Sequence, residues 1–424
     1  MASFSIPLSG LTAAQEQLQS VSNNLANLNT DGFKDQKVSF SDLFSAASVT
    51  NGSGDPIQTG SGVKIAATGA NFSEGNINPT GTSSNMAISG NGFFVTKNAS
   101  GSLSYTRAGD FTPNSAGQLV TPDGQLVMGY PAVAGVPNTS APLQALQVGS
   151  ATTPAVASTT FDVSANLDSN TAIGGTGAPS TFAVYDSLGS SHTLSIAYTK
   201  TGVNAWSYAV SVPSADLSTG GTGATQVATG NFSFNSSGQM VLAGTPPAKS
   251  ISIAIPAATT PATTFADGAA PMTLNWNLTD AAGNTTISQT ASASATNATN
   301  QNGYTSGTLK TYTVQPDGTI EGTFSSGKSL ALGQVAIAEF ANVQGLSHTG
   351  NTAFEETSAS GGAVIGVAGT GGRGTVEGGS VEQSNVDIAT EFAKLIVAQQ
   401  AYSANAKTIT TFNQVSQATI AMIQ

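Results

Sequence analysis

Two stretches of the 424-residue chain match patterns that bind nucleotide phosphates. Residues 322–329 read Gly-Thr-Phe-Ser-Ser-Gly-Lys-Ser, the pattern of a phosphate-binding loop, and residues 369–374 match the glycine pattern of a dinucleotide-binding turn. Both patterns need a helix directly afterwards, because N–H groups at a helix N-terminus hold the phosphates. Here strand-like residues follow the first stretch, and glycines follow the second. We therefore predict two turns, with no nucleotide or other cofactor.

A histidine near a serine and an aspartate is the other combination that could do chemistry. Asp186, Ser187 and His192 lie within one short stretch, whereas acyl transfer needs groups on separate elements and an oxyanion hole. His192 is therefore predicted to be a strand-end residue, and His348 a turn residue. Two histidines and no cysteine are too few for a His-rich or thiolate metal site. We predict that the protein is not an enzyme and has no catalytic, cofactor-binding or metal-binding residues.

Charge and composition narrow the function classes further. The net charge of -11 argues against broad nucleic-acid binding. Charged residues make up only 8% of the chain, so Ser, Thr, Asn and Gln must supply most of the polar surface. No apolar run reaches the roughly 18 residues of a membrane span, and the first residues lack the basic and apolar regions of a cleavable secretory signal. We therefore predict no membrane insertion.

The elements that organise the chain are two striped helices, one at each end. Residues 381–424 contain no Gly or Pro, and apolar side chains recur there in steps of four and three, as on one helix face. Ser384 begins a capping-box-like start for this helix, and Gly32 is a stop signal for the N-terminal one. The predicted stripes consist of Leu11, Leu18, Val21, Leu25 and Leu28 in the first helix, and of Ile388, Phe392, Leu395, Tyr402, Ile409, Ile420 and Ile423 in the second.

These stripes predict a coiled coil made from the two termini, with an ordinary intramolecular helix pair as the alternative. Between the helices the apolar period becomes two, and turn signals predict hairpins around Asn91-Gly92, residues 122–124 and residues 315–318. The predicted fold is mainly β with long α-helical termini, in a nested order. Residues 1–44 form the N-terminal helix and linker, pairing with the helix of 381–424. Residues 45–145 plus 286–380 form a discontinuous β domain, and residues 146–285 form an inserted β-sandwich or barrel.

Several short motifs resemble those of the flagellar axial family of rod and hook proteins. Residues 23–34 are similar to its N-terminal signature, and residues 384–387 and 396–402 to its C-terminal one. Residues 71–77, 90–94 and 105–111 resemble its core motifs, although Asn85-Met86 departs from a usual Leu-Asp. The N-terminal signature is carried by Asn23, Asn24, Asn27, Gly32, Phe33 and Lys34. Residues 295–304, the length and the middle domain resemble the hook members more than the shorter distal-rod members.

The resemblance implies a structural subunit of the bacterial flagellar hook, outside the cell. Such a subunit polymerises into a flexible helical tube that transmits motor torque, and the striped residues would form its subunit interface. The implied partners are further copies of the chain, the distal rod, hook cap, hook–filament junction and hook-length control proteins, and the flagellar type III export apparatus. The alternatives are a distal-rod protein, a β-rich adhesin and, weakest, an enzyme.

Overall fold

The computed structural model describes residues 4–44, 60–149, 151–244, 247–256 and 264–422. The chain folds into two compact units, each treated separately below. The first unit contains Met1–Ala151, Thr311–Thr323 and Ser329–Gln424, and the second contains Thr152–Lys310 and Phe324–Lys328. The fold is mainly β with a long helix near each end, as predicted. Among the described residues, no helix is long and apolar enough to cross a membrane.

Helix α1 spans Ser5–Ala26, with Pro7 in its first turn, where the missing N–H would have no intrahelical partner. The helix ends earlier than predicted, so Leu28 lies in the turn that follows it. Gly32 is therefore not the residue that stops α1. Its φ of +68° instead belongs to the later turn that leads into Phe33, in a left-handed conformation that glycine adopts without strain.

Helix α2 spans Ile388–Ala421, 34 residues. Its N-cap is Asp387, whose carboxylate accepts the N–H of Thr390 at 2.7 Å. The predicted Ser384 cap is wrong: the Ser384 hydroxyl accepts the N–H of Val386 instead, before the helix begins. Residues 383–387 are irregular, because their polar groups bind the β domain rather than a helical turn.

The segment predicted as a linker after α1 is a strand. Strand β1 (Gln36–Phe44) pairs antiparallel with β2 (Gly60–Ala70), and both contact α1. Pairing with β2 satisfies the backbone groups of β1. Because residues 45–59 separate β2 from β1, the local sequence pattern does not reveal this partner. Those residues, which belong to the predicted linker and β domain, lie outside the described part of the chain.

The β domain of the first unit is built from short strands that surround one doubly buried strand. In chain order after β2 come β3 Ile77–Pro79, β4 Met86–Ser89, β5 Phe93–Lys97, β6 Leu103–Thr106, β7 Thr112–Pro113, β8 Leu119–Val120, β9 Leu126–Val133, β10 Val136–Pro137 and β11 Gln144–Ala145. Strand β5 is buried on both faces. Phe93 packs into one apolar cluster and Phe94 into another, because neighbouring residues of a strand point to opposite faces.

The second unit is a β-sandwich. Its strands are β12 Thr152–Thr153, β13 Thr160–Asp168, β14 Ser180–Tyr185, β15 Ser191–Gly202, β16 Ala205–Pro213, β17 Ala224–Phe234, β18 Met240–Val241, β19 Ser250–Ile255, β20 Met272–Asn277, β21 Ile287–Thr290 and β22 Ala295–Gln301. One sheet has the order β14-β15-β16-β17-β18, and the other has β19-β20-β13-β21 with β22 also on β13. Alternate residues of both sheets share one core, which contains Trp206 and Trp276.

The sandwich extends further along the chain than residues 146–285. Strands β21 and β22 both pair with β13 in its second sheet, so residues after 285 complete that sheet. At the other end, Leu146 and Val148 are buried in a core of the first unit with Leu119. The strands at these boundaries belong to the unit with which they form hydrogen bonds or share a core, and the composition of a segment does not reveal that partner.

The chain continues with β23 Gly307–Val314, β24 Thr319–Phe324, β25 Ser329–Val335, β26 Ile337–Glu339, β27 Ser347–Gly350, β28 Ala353–Glu355, β29 Val364–Gly366, β30 Thr375–Gly378 and β31 Ser380–Glu382. Two of the predicted turns close as expected. Gln315 donates its N–H to Thr319 across residues 316–318, and β8 pairs with β9 across residues 122–124. The predicted hairpin at Asn91-Gly92 is wrong, because β4 pairs with β30, and β5 pairs with β6, β9 and β26.

Candidate assembly surface

The two terminal helices pack against each other in antiparallel order. Asn24, near the end of α1, donates to Glu391, near the start of α2, at 3.2 Å. At the opposite end the rings of Phe4 and Phe412 meet edge to face with centroids 5.9 Å apart. The helices therefore form a continuous pair within one chain, whose two ends are fixed by a polar and an aromatic contact.

Small residues let the two helix backbones approach closely. A Cβ at Gly10 would lie 2.9 Å from the side-chain nitrogen of Asn405. Ala14 and Ala398 are buried, and Ala398 is 0% exposed. Glycine and alanine at such positions permit a short interhelical distance, so the side facing α1 is built from small and polar residues as well as large apolar ones.

The structure places the predicted stripe of α1 against the rest of the first unit. Val21 is buried and the remaining four are half-buried, and these are Leu11, Leu18, Leu25 and Leu28. Buried Pro7 and Asn24 also lie on this side of the helix, together with Ala14. The stripe thus marks the inward face of α1.

The predicted stripe of α2 is split between two environments. Leu395 and Ile409 are half-buried, whereas Ile388, Phe392, Tyr402 and Ile420 are exposed, and Ile423 lies outside the described residues. The buried residues of α2 are Glu391 and Ala398, which sequence reasoning missed. With Leu395, Asn405, Ile409 and Phe412 they follow steps of four and three, except for a step of seven from Ala398 to Asn405 that passes the exposed Tyr402. The predicted helical spacing is right, and because α1 does not bury the exposed positions, their role as a subunit interface stays a prediction.

An apolar row therefore remains exposed on α2. Ile388, Phe392 and Ile396 follow one another at intervals of four, so they lie side by side on the helix. They are 46%, 51% and 53% exposed. We call these three residues the α2 row. Large apolar side chains grouped in this way mark an interaction surface more strongly than single exposed ones do.

A buried carboxylate joins the helix pair to the β domain. Glu382, at the end of β31, is 0% exposed and accepts hydrogen bonds from Lys34 at 2.5 Å and from Arg107 at 3.2 Å. The N–H of Gly75 donates to the same carboxylate at 2.8 Å. Four distant parts of the chain thus meet at one charged group.

The charges at this site compensate one another. Burial lowers the pKa of Lys34 from its usual value, and the Glu382 carboxylate opposes that shift. Arg107 also donates to the carbonyl oxygens of Ile88 and Gly90 and lies 5.5 Å from the ring centroid of Phe93. Two cations around one carboxylate would be costly to bury without these contacts, so the contacts lower the cost of burying this site.

Asn385 connects the start of α2 to the same region. Its side-chain oxygen accepts the N–H of Asp35 at 2.8 Å, and its nitrogen donates to the carbonyl oxygens of Asn71 and Ser73. We call Lys34, Arg107, Glu382 and Asn385 the helix anchor. Sequence reasoning found only Lys34 among them as a site residue, although Arg107 and Asn385 lie in motifs that it singled out.

The other residues of the N-terminal motif support the same junction. The side chain of Asn24 makes two hydrogen bonds with the backbone of Gln36, donating to its carbonyl oxygen and accepting its N–H. Gly32 donates its N–H to the carbonyl oxygen of Glu382, and a Cβ there would lie 2.3 Å from the backbone nitrogen of Ala108. Phe33 is buried beside them. The motif therefore serves to join the end of α1 to β31.

Asn23 and Asn27, the remaining motif residues, line a polar cleft of about 570 Å³. Asp31 and Asp110 also line it, and burial raises the pKa of both carboxyl groups. The negative charge of Asp110 adds to the rise at Asp31. Carboxyl groups in this environment bind a proton more readily than exposed ones do.

The two nucleotide-like stretches are turns, as predicted. Residues 325–328 connect β24 to β25, and Phe324 donates its N–H to the carbonyl oxygen of Lys328. Residues 367–374 form a turn before β30, in which Arg373 donates to the carbonyl oxygen of Val367. Neither stretch is followed by a helix, so neither presents the N–H groups that a phosphate needs.

His192 lies near the start of β15 in the second unit, and it is buried. Its Nε2 is 3.0 Å from Asp186, its Nδ1 is 3.0 Å from Asp216, and its ring stacks on Phe265 at 4.4 Å. Among the described residues, Asp186, His192 and Asp267 bring ligand atoms within 4.8 Å of one another and could hold a metal ion. No serine hydroxyl is recorded against His192 there, so a nucleophilic triad is not assembled.

Four family models match the two ends and the middle of the chain. The model for the flagella basal body rod protein matches residues 6–34, and that for the flagellar basal body rod FlgEFG protein C-terminal region matches residues 377–422. The flagellar hook protein FlgE/F/G D1 domain matches residues 87–166. The flagellar basal body protein FlaE D2 domain matches residues 153–304, which lie in the second unit.

Whole-chain relatives agree with these matches. The flagellar hook protein FlgE of Escherichia coli (strain K12) is 33% identical over 425 residues, covering 97% of this chain and 98% of that protein. FlgE of Salmonella typhimurium is 34% identical over 433 residues, with the same coverage of 97% and 98%. The crystal structure of Helicobacter pylori flagellar hook protein FlgE2 shares the fold, with a TM-score of 0.52 at 15% identity, over 72% of this chain and 100% of that one. At this identity over nearly the whole of both chains, the protein belongs to the flagellar hook protein FlgE family.

Proposed function

We propose that this hook-family subunit polymerises through its terminal helices into a flexible tube that transmits motor torque. The observation that carries the proposal is the α2 row, whose large apolar side chains stay exposed beside the helix pair. Full burial of one such side chain contributes roughly 1.5–3 kcal/mol, and about half of each is already covered in the single chain, so each new contact contributes roughly half of that value. Three such contacts per subunit, repeated along a head-to-tail polymer, favour assembly.

In this proposal the helix anchor carries force from the helices to the β domain. The ion pairs of Lys34 and Arg107 converge on Glu382, which directly precedes the irregular residues at the start of α2. A buried charged site is directional and resists small displacements, because separating its partners leaves unpaired charges in a dry environment. Torque applied to the helices would therefore reach the β domain through a stiff junction.

The low charge of the chain suits a polymer that bends. With only 8% charged residues, neighbouring subunits have few ion pairs to break when they slide past one another. The proposed role is structural and includes no enzymatic activity. We propose the distal rod, hook cap, hook–filament junction and hook-length control proteins as further partners, and the flagellar type III apparatus as the export route.

Substitution of the α2 row tests the assembly surface. Phe392→Asp and Ile396→Asp should prevent polymerisation, measured by sedimentation and electron microscopy, because each places a charge where an apolar contact forms. The conservative variants Phe392→Leu and Ile396→Val should still assemble. Since both side chains are exposed in the single chain, monomer unfolding should stay within about 0.5 kcal/mol of the parent. Normal polymers from Phe392→Asp and Ile396→Asp would contradict the proposal.

A further inference from the structure

The motif at residues 295–304 lies where the chain leaves the second unit. Val156, near the start of that unit, and Tyr304, near its end, exchange both backbone hydrogen bonds at 2.9 Å. The incoming and outgoing segments thus run side by side in antiparallel order. Any force on the strands between Thr160 and Gln301 that travels along the chain must pass through these two segments.

Asn302 ties the outgoing segment to the incoming one. Its side-chain oxygen accepts the N–H of Thr159 at 2.9 Å and that of Thr160 at 3.1 Å. Its side-chain nitrogen donates to the Thr159 hydroxyl at 2.7 Å. One amide therefore makes three hydrogen bonds at the point where β13 begins.

Gln301 extends this connection into the other sheet of the sandwich. Its side-chain oxygen accepts the hydroxyl of Ser158 at 2.8 Å and the N–H of Gly303 at 2.6 Å. The same Ser158 hydroxyl accepts the N–H of Tyr185, the last residue of β14, at 3.0 Å. Ser158 is 1% exposed, so these bonds form in a protected environment.

The backbone at Gly303 packs too closely against Ser158 to accommodate a side chain. A Cβ at this position would lie 2.4 Å from the Ser158 hydroxyl oxygen and 2.5 Å from the Ser158 backbone nitrogen. The outgoing chain therefore passes directly over Ser158, and only glycine permits that approach.

We infer that Gln301 and Asn302 are positioning residues that clasp the incoming and outgoing segments of the sandwich together. We call Ser158, Gln301 and Asn302 the clasp. It binds β13, the chain after β22 and the end of β14, so both sheets are held at the position where the chain enters and leaves. Its consequence for hook stiffness rests on the proposed function, whereas its effect on the single chain does not.

Hydrogen exchange on the full-length monomer tests the clasp. Asn302→Ala should speed exchange of the Val156, Thr159, Thr160 and Tyr304 amides roughly tenfold, because three hydrogen bonds are lost at one place. The conservative Asn302→Asp keeps the accepting oxygen and should stay near the parent. Asn300→Ala is the matched control, since the contact that the described part of the chain gives its amide is an exposed one with Asp162 at 2.9 Å.

Two results would overturn the inference. One is equal exchange in Asn302→Ala and Asn300→Ala. The other is an equal increase throughout β15 and β16, since that pattern reports general destabilisation of the sandwich rather than opening at the clasp.

A disulfide provides a second, independent measurement. The chain has no cysteine, and Val156 and Tyr304 form a directly hydrogen-bonded antiparallel pair, whose Cα separation of about 5.5 Å suits a disulfide. Val156→Cys with Tyr304→Cys, oxidised in the Asn302→Ala background, should restore slow exchange of the amides at positions 156 and 304, and reduction should remove this protection, whereas Thr159 and Thr160 stay fast because they have lost their acceptor. Fast exchange at positions 156 and 304 in the oxidised protein would contradict the clasp.

The bending stiffness of assembled hooks tests whether the clasp has a mechanical role. Hooks assembled from Asn302→Ala should bend more easily than parent hooks, and hooks from Asn302→Asp and Asn300→Ala should not. Unchanged stiffness alongside faster exchange would reject the mechanical role of the clasp. Failure of the parent chain to form hooks would reject the proposed function and leave the exchange result intact.

Discussion

Glu382 is the residue on which the junction of helices and β domain depends most. It is fully buried, and it pairs with both Lys34 and Arg107 while also accepting a backbone N–H from Gly75. Removing one member of a buried ionic group leaves its partners unpaired, and this costs more than the intact group contributes. The effect of substituting Glu382 is therefore larger than that of any exposed carboxylate.

We predict that Glu382→Gln destabilises the first unit by about 3–5 kcal/mol. The amide keeps the shape of the side chain but leaves two buried cations without a negative charge. Chemical unfolding followed by far-ultraviolet circular dichroism should show an earlier transition. Glu377→Gln, an exposed position on β30, should change stability by no more than about 0.5 kcal/mol.

The two tryptophans provide an internal control for this experiment. Both Trp206 and Trp276 are buried in the core of the second unit. Their fluorescence transition should therefore stay close to that of the parent in Glu382→Gln. A parental dichroism transition in this variant would show that the anchor does not support the first unit.

Asp387 gives a pH-dependent prediction. The hydrogen bonds from Thr390 hold the pKa of its carboxyl group below the usual value. The folded pKa is the lower one, so the cap stabilises α2 above the ordinary aspartate pKa of about 3.9, and this stabilisation is lost as the pH falls through the folded value. Asp387→Asn keeps an accepting oxygen but does not titrate. The parent should melt at a higher temperature than Asp387→Asn at pH 6, and the difference should shrink as the pH falls below about 3.9 and vanish only once the pH lies below the folded pKa. A difference that is independent of pH would exclude titration of the cap.

At the scale of whole elements, the helix pair is fixed by small and polar residues. Glu391 is buried and binds Asn24, and it also pairs with Lys394 at its outer side. A buried polar contact has a single favourable register, since sliding the helices by one residue would break the bond from Asn24 and leave Glu391 with Lys394 of its own helix. The large apolar residues of the α2 row are then free for contacts outside the chain.

We predict that Ala398→Leu destabilises the helix pair by about 1–3 kcal/mol, because the larger side chain has no space in a fully buried position. The same substitution at Ala401, which is exposed on the same helix, should change stability by less than about 0.5 kcal/mol. Amide exchange along α2 distinguishes the two variants. Equal protection in both would show that α1 and α2 do not pack at Ala398.

At the scale of the whole molecule, each compact unit has its own apolar core. The core of the sandwich draws only on residues of the second unit, and the two clusters around β5 draw only on residues of the first. Units with separate cores can unfold separately. The sandwich can therefore be removed without taking apolar residues from the first unit.

We predict that replacing residues 154–306 by a two-residue turn leaves the first unit folded. Thr153 and Gly307 face each other as an antiparallel pair, so a short turn such as Asn-Gly can connect them. Circular dichroism should show that the helices and the remaining β structure persist, while tryptophan fluorescence disappears. A wholly unfolded product would contradict the independence of the first unit.

A second deletion, with the domain boundaries predicted from sequence, serves as the comparison. Removing residues 146–285 deletes Leu146 and Val148 from a core of the first unit and leaves β21 and β22 without β13. We expect this second deletion to aggregate, because apolar positions are lost and two strands keep unpaired edges. Equal solubility of both deletions would show that the two edges of the sandwich have no structural importance.

Much of the fold follows from local signals in the chain. The spacing of Phe392, Leu395 and Ile409 predicts a helix, and α2 contains all three. Asp317-Gly318 predicts a turn, and Gly318 has a φ of +81° there. The mainly β centre, the terminal helices and the turns at the two phosphate-like stretches are confirmed in the same way. Such features depend on residues close in sequence, whose sterics and hydrogen bonding are the same in any context.

The partners of each element do not follow from local signals. Asn91-Gly92 is a reasonable hairpin turn, yet β4 pairs with β30, far along the chain. Glu382 and Glu391 look like ordinary surface carboxylates in the sequence, and both are buried because cations or amides from distant segments reach them. The side of α2 that faces α1 depends on these long-range contacts and on the space left by Ala398. Burial is a property of the assembled neighbours, so periodicity predicts that a helix has an apolar face but not which element that face meets.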